Sequence, residues 1–271
     1  MQDRHLKTKD GRDFIVRMES AENAQPSFFI LGLAKAGSTL FNRVMKPIGE
    51  AAGYSYFSLR TTLVELGIPP EEVDYEASDP LFVPQGYCYG GFRGLPGDME
   101  IPAFGKSRSV LLVRDPRDML TSLYFSVAFS HRPPPVEQGS VTAENFIAQR
   151  QAALGSTIDE YVLQYAPIVL RGFQTLGRKT DALSPKTYRY EDVIFDKQAW
   201  IEDVLNYLDL LVPERLVEKI VRRNDVVPSV EASGEHIRRV TPGDHREKLA
   251  PQTISQLNEI LDPVLARYGY A

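Results

Sequence analysis

The chain predicts a three-layer α/β/α domain around a central, mainly parallel sheet, and three observations carry that reading. Residues 27–34 (SFFILGLA) and 109–113 (SVLLV) are short, continuous apolar runs, as expected of strands buried on both faces. Each run is followed by apolar residues at helical spacing. Strand-like and helix-like segments then alternate through all 271 residues, so a single domain spanning 1–271 is expected.

The elements follow in order. Asp10-Gly11 is a turn dipeptide between strand-compatible residues, so 1–20 should form a β-hairpin. After the first buried strand, Leu40, Phe41, Val44, Met45 and Ile48 mark a helix that begins at Ser38. Pro47 and Gly53 should end or kink it. Residues 54–106 are rich in Gly, Pro and Tyr and read as short helices and loops. After the second buried strand the helix start is unusually complete. Asp115 can cap it, Pro116 suits its first position, and Asp118 falls in its first turn. Met119, Leu120, Leu123, Tyr124 and Val127 form its apolar stripe. Residues 131–140 read as a loop, 142–178 as one long or two consecutive helices, and 186–192 as a third strand-to-turn unit. Amphipathic helices are expected near 197–210 and 213–222. The segment 223–249 is charged with little periodicity, and a last helix uses Ile254, Leu257, Leu261, Val264 and Leu265.

Composition narrows the function. With 43% hydrophobic and 25% charged residues the usage is that of a globular domain. The 31 Lys and Arg against 36 Asp and Glu leave a net charge of −5, which disfavours general nucleic-acid binding. One cysteine, Cys88, excludes an internal disulfide framework and a four-cysteine zinc site. The scattered His5, His131, His236 and His245 show no ligand spacing, so no metal is expected. The polar start MQDRHLKTKD and the absence of a long apolar run predict no transmembrane segment and a cytoplasmic location.

Three segments can hold a doubly charged nucleotide. In LGLAKAGSTL (31–40), small residues between strand and helix let the backbone wrap an anion. The helix start adds free N–H groups, Lys35 a charge, and Ser38 and Thr39 hydroxyls. Gly32 and Gly37 have the glycine spacing of a nucleotide triphosphate P-loop, so a small-molecule kinase using Mg-ATP is the rival enzyme. That motif needs Lys directly after the second Gly, whereas Lys35 precedes Gly37 by two residues. In RDPRDMLTS (114–122), Arg114 stands where a buried strand ends and Ser122 follows eight residues on. Together they can grip a phosphate, or Arg114 can simply pair with Asp115 or Asp118. In IRRVTPGDHREKL (237–249), two adjacent arginines in a Gly/Pro loop can close over an anion.

In this order the segments resemble the sulfotransferase superfamily that uses 3′-phosphoadenosine 5′-phosphosulfate (PAPS). Lys35-Ala36-Gly37-Ser38-Thr39 looks like its 5′-phosphosulfate loop, KxGTT or KxGST. Arg114 and Ser122 match its 3′-phosphate motif. Tyr190-Glu191-Asp192 is similar to its YED segment, where the Tyr approaches the adenine. Arg238-Arg239-Val240 with Gly243-Asp244-His245-Arg246 resembles its RKG…GDWK segment.

The resemblance implies a P-loop-like fold, PAPS as donor and adenosine 3′,5′-bisphosphate (PAP) as product. It also implies a nucleotide site of Lys35, Ala36, Gly37, Ser38, Thr39, Leu40, Arg114, Ser122, Tyr190, Arg238, Arg239 and Val240. Leu40 and Val240 replace the family's Trp and Gly. Gly94, in Phe92-Arg93-Gly94-Leu95-Pro96, stands where the cytosolic branch has its general-base His. Other branches use a Glu at about the distance of Glu65, which becomes the expected base. His131 is the alternative, with Asp98 and Glu100 behind it. A non-catalytic nucleotide-binding relative is the third reading. Residues 54–106 and 130–142 are expected to form the acceptor site, with Tyr54, Tyr56, Phe57, Tyr87, Tyr89 and Phe92 suited to stack on a sugar ring or an aromatic alcohol. The expected partner is a small-molecule or glycan acceptor, and a homo-oligomer is allowed.

Overall fold

The computed structural model describes residues 1–76, 80–95, 99–130, 141–225 and 240–271. In chain order these form β1 (Gln2–Thr8), β2 (Asp13–Met18), β3 (Phe28–Gly32), α1 (Ser38–Ala51), β4 (Ser55–Phe57), α2 (Leu59–Glu65), β5 (Val73–Asp74) and β6 (Tyr87–Tyr89). Then come β7 (Arg108–Val113), α3 (Pro116–Phe125), α4 (Val141–Leu154), α5 (Ile158–Thr180), β8 (Lys186–Arg189) and α6 (Tyr190–Val193). Helices α7 (Lys197–Leu208), α8 (Glu214–Asn224), α9 (Asp244–Lys248) and α10 (Pro251–Tyr268) complete the chain.

Two compact units share these elements: Met1–Val113 with Gln174–Asp225, and Arg114–Phe173 with Val226–Ala271. The first holds both sheets. Five strands in the order β4-β6-β3-β7-β8 make a wholly parallel sheet, with Gly32 opposite Leu112 and Val113 opposite Arg189. This parallel sheet flanked by helices is the expected α/β architecture. Every residue of β3 is buried, as a strand covered on both faces requires. Phe29 stacks on Tyr89 at 4.9 Å and meets Phe104 edge-on at 4.5 Å, which fixes the middle of the core. Helix α1 turns Phe41 toward Trp200 of α7, their ring centroids 5.3 Å apart.

The hairpin is present as β1–β2, joined by a turn in which Gly11 has φ +90°. It gains a third strand that the sequence does not announce, β5, paired through Thr8 and Val73. Residues 54–106 also depart from expectation, because they supply β4 and β6 to the main sheet. Each is three residues long, too short for any period to show. Tyr87, Tyr89 and Phe92 are consequently core residues, buried beneath the surface. Helix α1 continues through Pro47 for another turn, losing one backbone bond without ending there.

In the second unit, α3 begins as expected, with the Asp115 carboxylate accepting from Arg117 N and Pro116 at its start. Its α-helical part stops at Phe125, and 126–130 continue as a π turn that still brings Val127 onto the cluster that Leu123 and Tyr124 cover. Leu120, Val162, Leu257 and Leu261 form this unit's core. Among the described residues, no helix is long and apolar enough to cross a membrane.

Candidate active site

The turn between β3 and α1 combines left-handed backbone with a helix start that no side chain caps. Lys35 has φ +68° and Gly37 φ +90°, so both hold left-handed backbone. A lysine there costs on the order of 1 kcal/mol or more, strain that persists only where the surroundings impose it. The surroundings are visible: Ala36 N donates to Leu33 O at 3.2 Å, and Ala34 N donates to Arg93 O at 3.2 Å. Gly37 is the N-cap of α1, and no side chain caps the helix. The first-turn amides and the positive dipole end are therefore left for a ligand or water. A Cβ on Gly37 would lie 2.9 Å from the Tyr190 ring and 3.2 Å from Leu112, so glycine is required by space as well as by φ. The structure thus brings Tyr190, at the start of α6, against the loop carrying Lys35, Ala36, Gly37, Ser38 and Thr39. Ser38 is buried, and Lys35, Thr39 and Leu40 are half-buried.

In the second unit, Arg114 is buried directly before α3, and its guanidinium lies 3.7 Å from Asp118 Oδ2. Asp118 is the residue that sequence reasoning underrated. Its Oδ1 accepts from His245 N at 3.0 Å and meets His245 Nδ1 at 2.6 Å, while Oδ2 accepts from Gly243 N at 2.7 Å. Burial alone would raise the Asp118 pKa, but the His245 hydrogen bond, the Arg114 charge and the two backbone amides hold it at about 2. This one carboxylate orients Arg114 and fastens the Gly243–His245 segment to α3. Asp115 serves the helix instead, gripping Arg117 through Nε at 2.9 Å and a terminal nitrogen at 2.7 Å. Ser122 is half-buried two turns along α3, and Val240 is buried. Arg238 and Arg239 lie outside the described residues.

A cavity of about 750 Å³ opens in the first unit against α1, which contributes Thr39, Asn42, Arg43 and Lys46 to its wall. Asn42 Oδ1 accepts from Tyr56 OH at 3.0 Å and Gly91 N at 2.7 Å, and its Nδ2 donates to Ser38 O at 2.7 Å. This amide ties the start of α1 to the cavity wall. No sequence motif announces it.

The expected proton acceptors fall in different places. Gly94 has φ +131°, a conformation that side chains rarely adopt, so a histidine there would be strained. Glu65 is exposed at the end of α2, one turn beyond Thr61 of the cavity wall, and is not among the described lining residues. Glu100 is exposed and bonds Lys179 Nζ at 2.9 Å. Asp98 and His131 lie outside the described residues. Glu19, which the sequence did not single out, is the one carboxylate among the described lining residues. No group of three or more His, Cys, Asp and Glu able to hold a metal occurs among the described residues.

Compared with known proteins, the sequence matches no family model and no curated protein. The fold does match. A mouse sulfotransferase, SULT7A1, solved in complex with PAP, superposes with a TM-score of 0.55 at 13% identity, over 96% of this chain and 94% of that one. Retinol dehydratase in complex with androsterone and the inactive cofactor PAP superposes at 0.50 and 16% identity, over 88% and 80%. The chain has the sulfotransferase-superfamily fold.

Proposed function

We propose that the chain is a sulfotransferase that uses PAPS to modify a hydroxyl or amine of a carbohydrate, lipid or other small-molecule acceptor. The observation that carries the reading is the turn after β3, with its left-handed Lys35 and Gly37, its uncapped helix start and the Tyr190 ring against it. That two structures of the same fold were solved with PAP supports the donor class.

The donor supplies a sulfuryl group that passes in line to the acceptor atom, leaving PAP. The chain's part is to bind, align and neutralise. The amides at the start of α1 and the Ser38 and Thr39 hydroxyls are assigned to the phosphosulfate. Lys35 is assigned to the negative charge that grows on the departing oxygen. Arg114 and Ser122, with Arg238, Arg239 and Val240, are assigned to the 3′-phosphate, and Tyr190 to the adenine. The acceptor proton goes to a carboxylate: Glu65 by motif distance, or Glu19 by its place in the cavity wall. His131 remains the alternative, from the segment 130–142 assigned to the acceptor. No metal is required in this scheme, and the chain is assigned to the cytoplasm.

Incubation with sulfur-labelled PAPS and a panel of alcohols and amines tests the reading. PAP release coupled to a labelled product is the expected result. PAP binding without transfer to any acceptor would favour a non-catalytic relative, and Mg²⁺-dependent ATP consumption a kinase. Glu65→Gln and Glu19→Gln divide the base assignment: the variant that loses about 100-fold in turnover, with PAP affinity retained, marks the base.

A further inference from the structure

The cavity against α1 carries a charge pattern that bears on the acceptor. Among the described lining residues five are cations, Arg17, Arg43, Lys46, Arg60 and Arg93, and Glu19 is the one carboxylate. Their own partners are few. Arg17 sits 3.7 Å from Asp3, and Lys46 3.8 Å from Glu50, both exposed pairs of small worth. Among the described residues, none of Arg43, Arg60 and Arg93 has a carboxylate within ion-pair distance. Arg43, Arg60 and Arg93 are exposed, and partial desolvation followed by the neighbouring Arg60 charge lowers the pKa of Arg93. In a chain of net charge −5, such a concentration of positive charge is a local construction.

The cavity also lies on the β4–β6 side of the turn. Gly37 faces Leu112 and Tyr190, which belong to the β7–β8 half of the sheet, whereas Tyr56, Phe57 and Gly91 of the cavity wall belong to the β4–β6 half. Thr39, at the end of the turn, lines the cavity. A group held there would lie beside Thr39, a residue of the assigned phosphosulfate loop.

We propose that the acceptor is an anion: a hydroxyl compound that already carries a carboxylate, phosphate or sulfate, held in this cavity by Arg60, Arg93 and Arg43. The assignment rests on the sulfotransferase reading for the word acceptor, and on the cavity alone for the charge. An anion accepts the fixed forks of donors that these guanidinium groups present and gains from their combined charge, which a neutral alcohol does not.

The test is binding of matched probes to the whole chain saturated with PAP. Glucose is compared with glucuronate, glucose 6-phosphate and glucose 6-sulfate, and phenol with 4-hydroxybenzoate. The anionic members should bind at least about tenfold more tightly than their neutral twins, the worth of one charge-assisted contact, and the advantage should shrink with added salt. The ranking among carboxylate, phosphate and sulfate identifies the group. In an Arg60→Gln/Arg93→Gln variant that melts normally, the preference should vanish while PAP affinity stays. Equal binding of neutral and anionic twins overturns the proposal, as does a preference that survives in the double variant. Loss of anion binding when PAP is added also overturns it, because the cavity would then belong to the donor. Failure of PAP to bind, with the anion preference intact, overturns the sulfotransferase reading alone and leaves the charge selectivity of the cavity standing.

Discussion

The chain contains two strand-to-helix turns that start alike and finish differently. After β3 the backbone enters left-handed space at Lys35 and Gly37, and no side chain caps α1. After β7 no residue of the turn takes a positive φ, and the Asp115 carboxylate caps α3 by accepting from Arg117 N at 2.9 Å. In the second turn the protein satisfies its own helix start, so binding capacity moves to a side chain, Arg114. In the first turn the helix start itself is left to bind. A capped helix end supports a structure, and the uncapped end beside a strained lysine is the one to which the proposed function assigns the ligand.

The contrast between the turns is greatest at Lys35. Lys35→Ala should lower turnover by about 10²- to 10³-fold while weakening PAP far less, because its charge matters most as the leaving oxygen becomes anionic. Arg114→Ala should do the opposite and raise the PAPS Michaelis constant above all. Steady-state kinetics on both variants checks the division, and matching changes in both parameters would remove it.

Gly37→Ala probes the same contrast through the backbone. The new methyl meets the Tyr190 ring at 2.9 Å in a conformation that favours glycine, so PAP binding should fall by about tenfold or more, with stability lower by roughly 1–2 kcal/mol. Calorimetric titration and urea unfolding of the variant measure both. Near-normal PAP affinity would show that the turn is merely a connection.

The last effect concerns the capped turn and is read on stability rather than on binding. Asp118 has its pKa at about 2, below its ordinary 3.8, so the folded state holds the charged form more tightly. Its contribution is present above about pH 4 and is lost as pH falls towards 2, a change of about 2 kcal/mol. Unfolding curves between pH 5 and pH 2 should show this loss, and Asp118→Asn should flatten the acid limb. An unchanged acid limb in that variant would mean that Asp118 is not what ties Gly243–His245 to α3.

What was legible in the sequence divides along the same line. The β3 turn announces itself locally, through an apolar strand, spaced glycines and Lys35, all within a dozen residues. The capped turn was legible through Asp115 and Pro116, but the role of Asp118 was not, because its partners Gly243 and His245 come from a distant segment. The cavity was the least legible part. Arg17, Arg43, Lys46, Arg60 and Arg93 are scattered over the hairpin, α1, α2 and the loop after β6, and only the fold gathers them. β4 and β6 were invisible for a simpler reason: three residues carry no periodicity. The aromatics of 54–106 split accordingly, Tyr56 and Phe57 to the cavity and Tyr87, Tyr89 and Phe92 to the core.

The sulfotransferase reading depends on the uncapped turn serving a nucleotide that bears both a 5′-phosphate and a 3′-phosphate. Thermal unfolding with PAP, 5′-AMP and ATP, each with and without Mg²⁺, decides whether it does. PAP at a hundred times its dissociation constant should stabilise the chain by about 2.7 kcal/mol, with no dependence on Mg²⁺. At the same concentration, 5′-AMP and ATP should shift the melting temperature far less. An equal shift with 5′-AMP, or a larger one with Mg-ATP, would contradict the account.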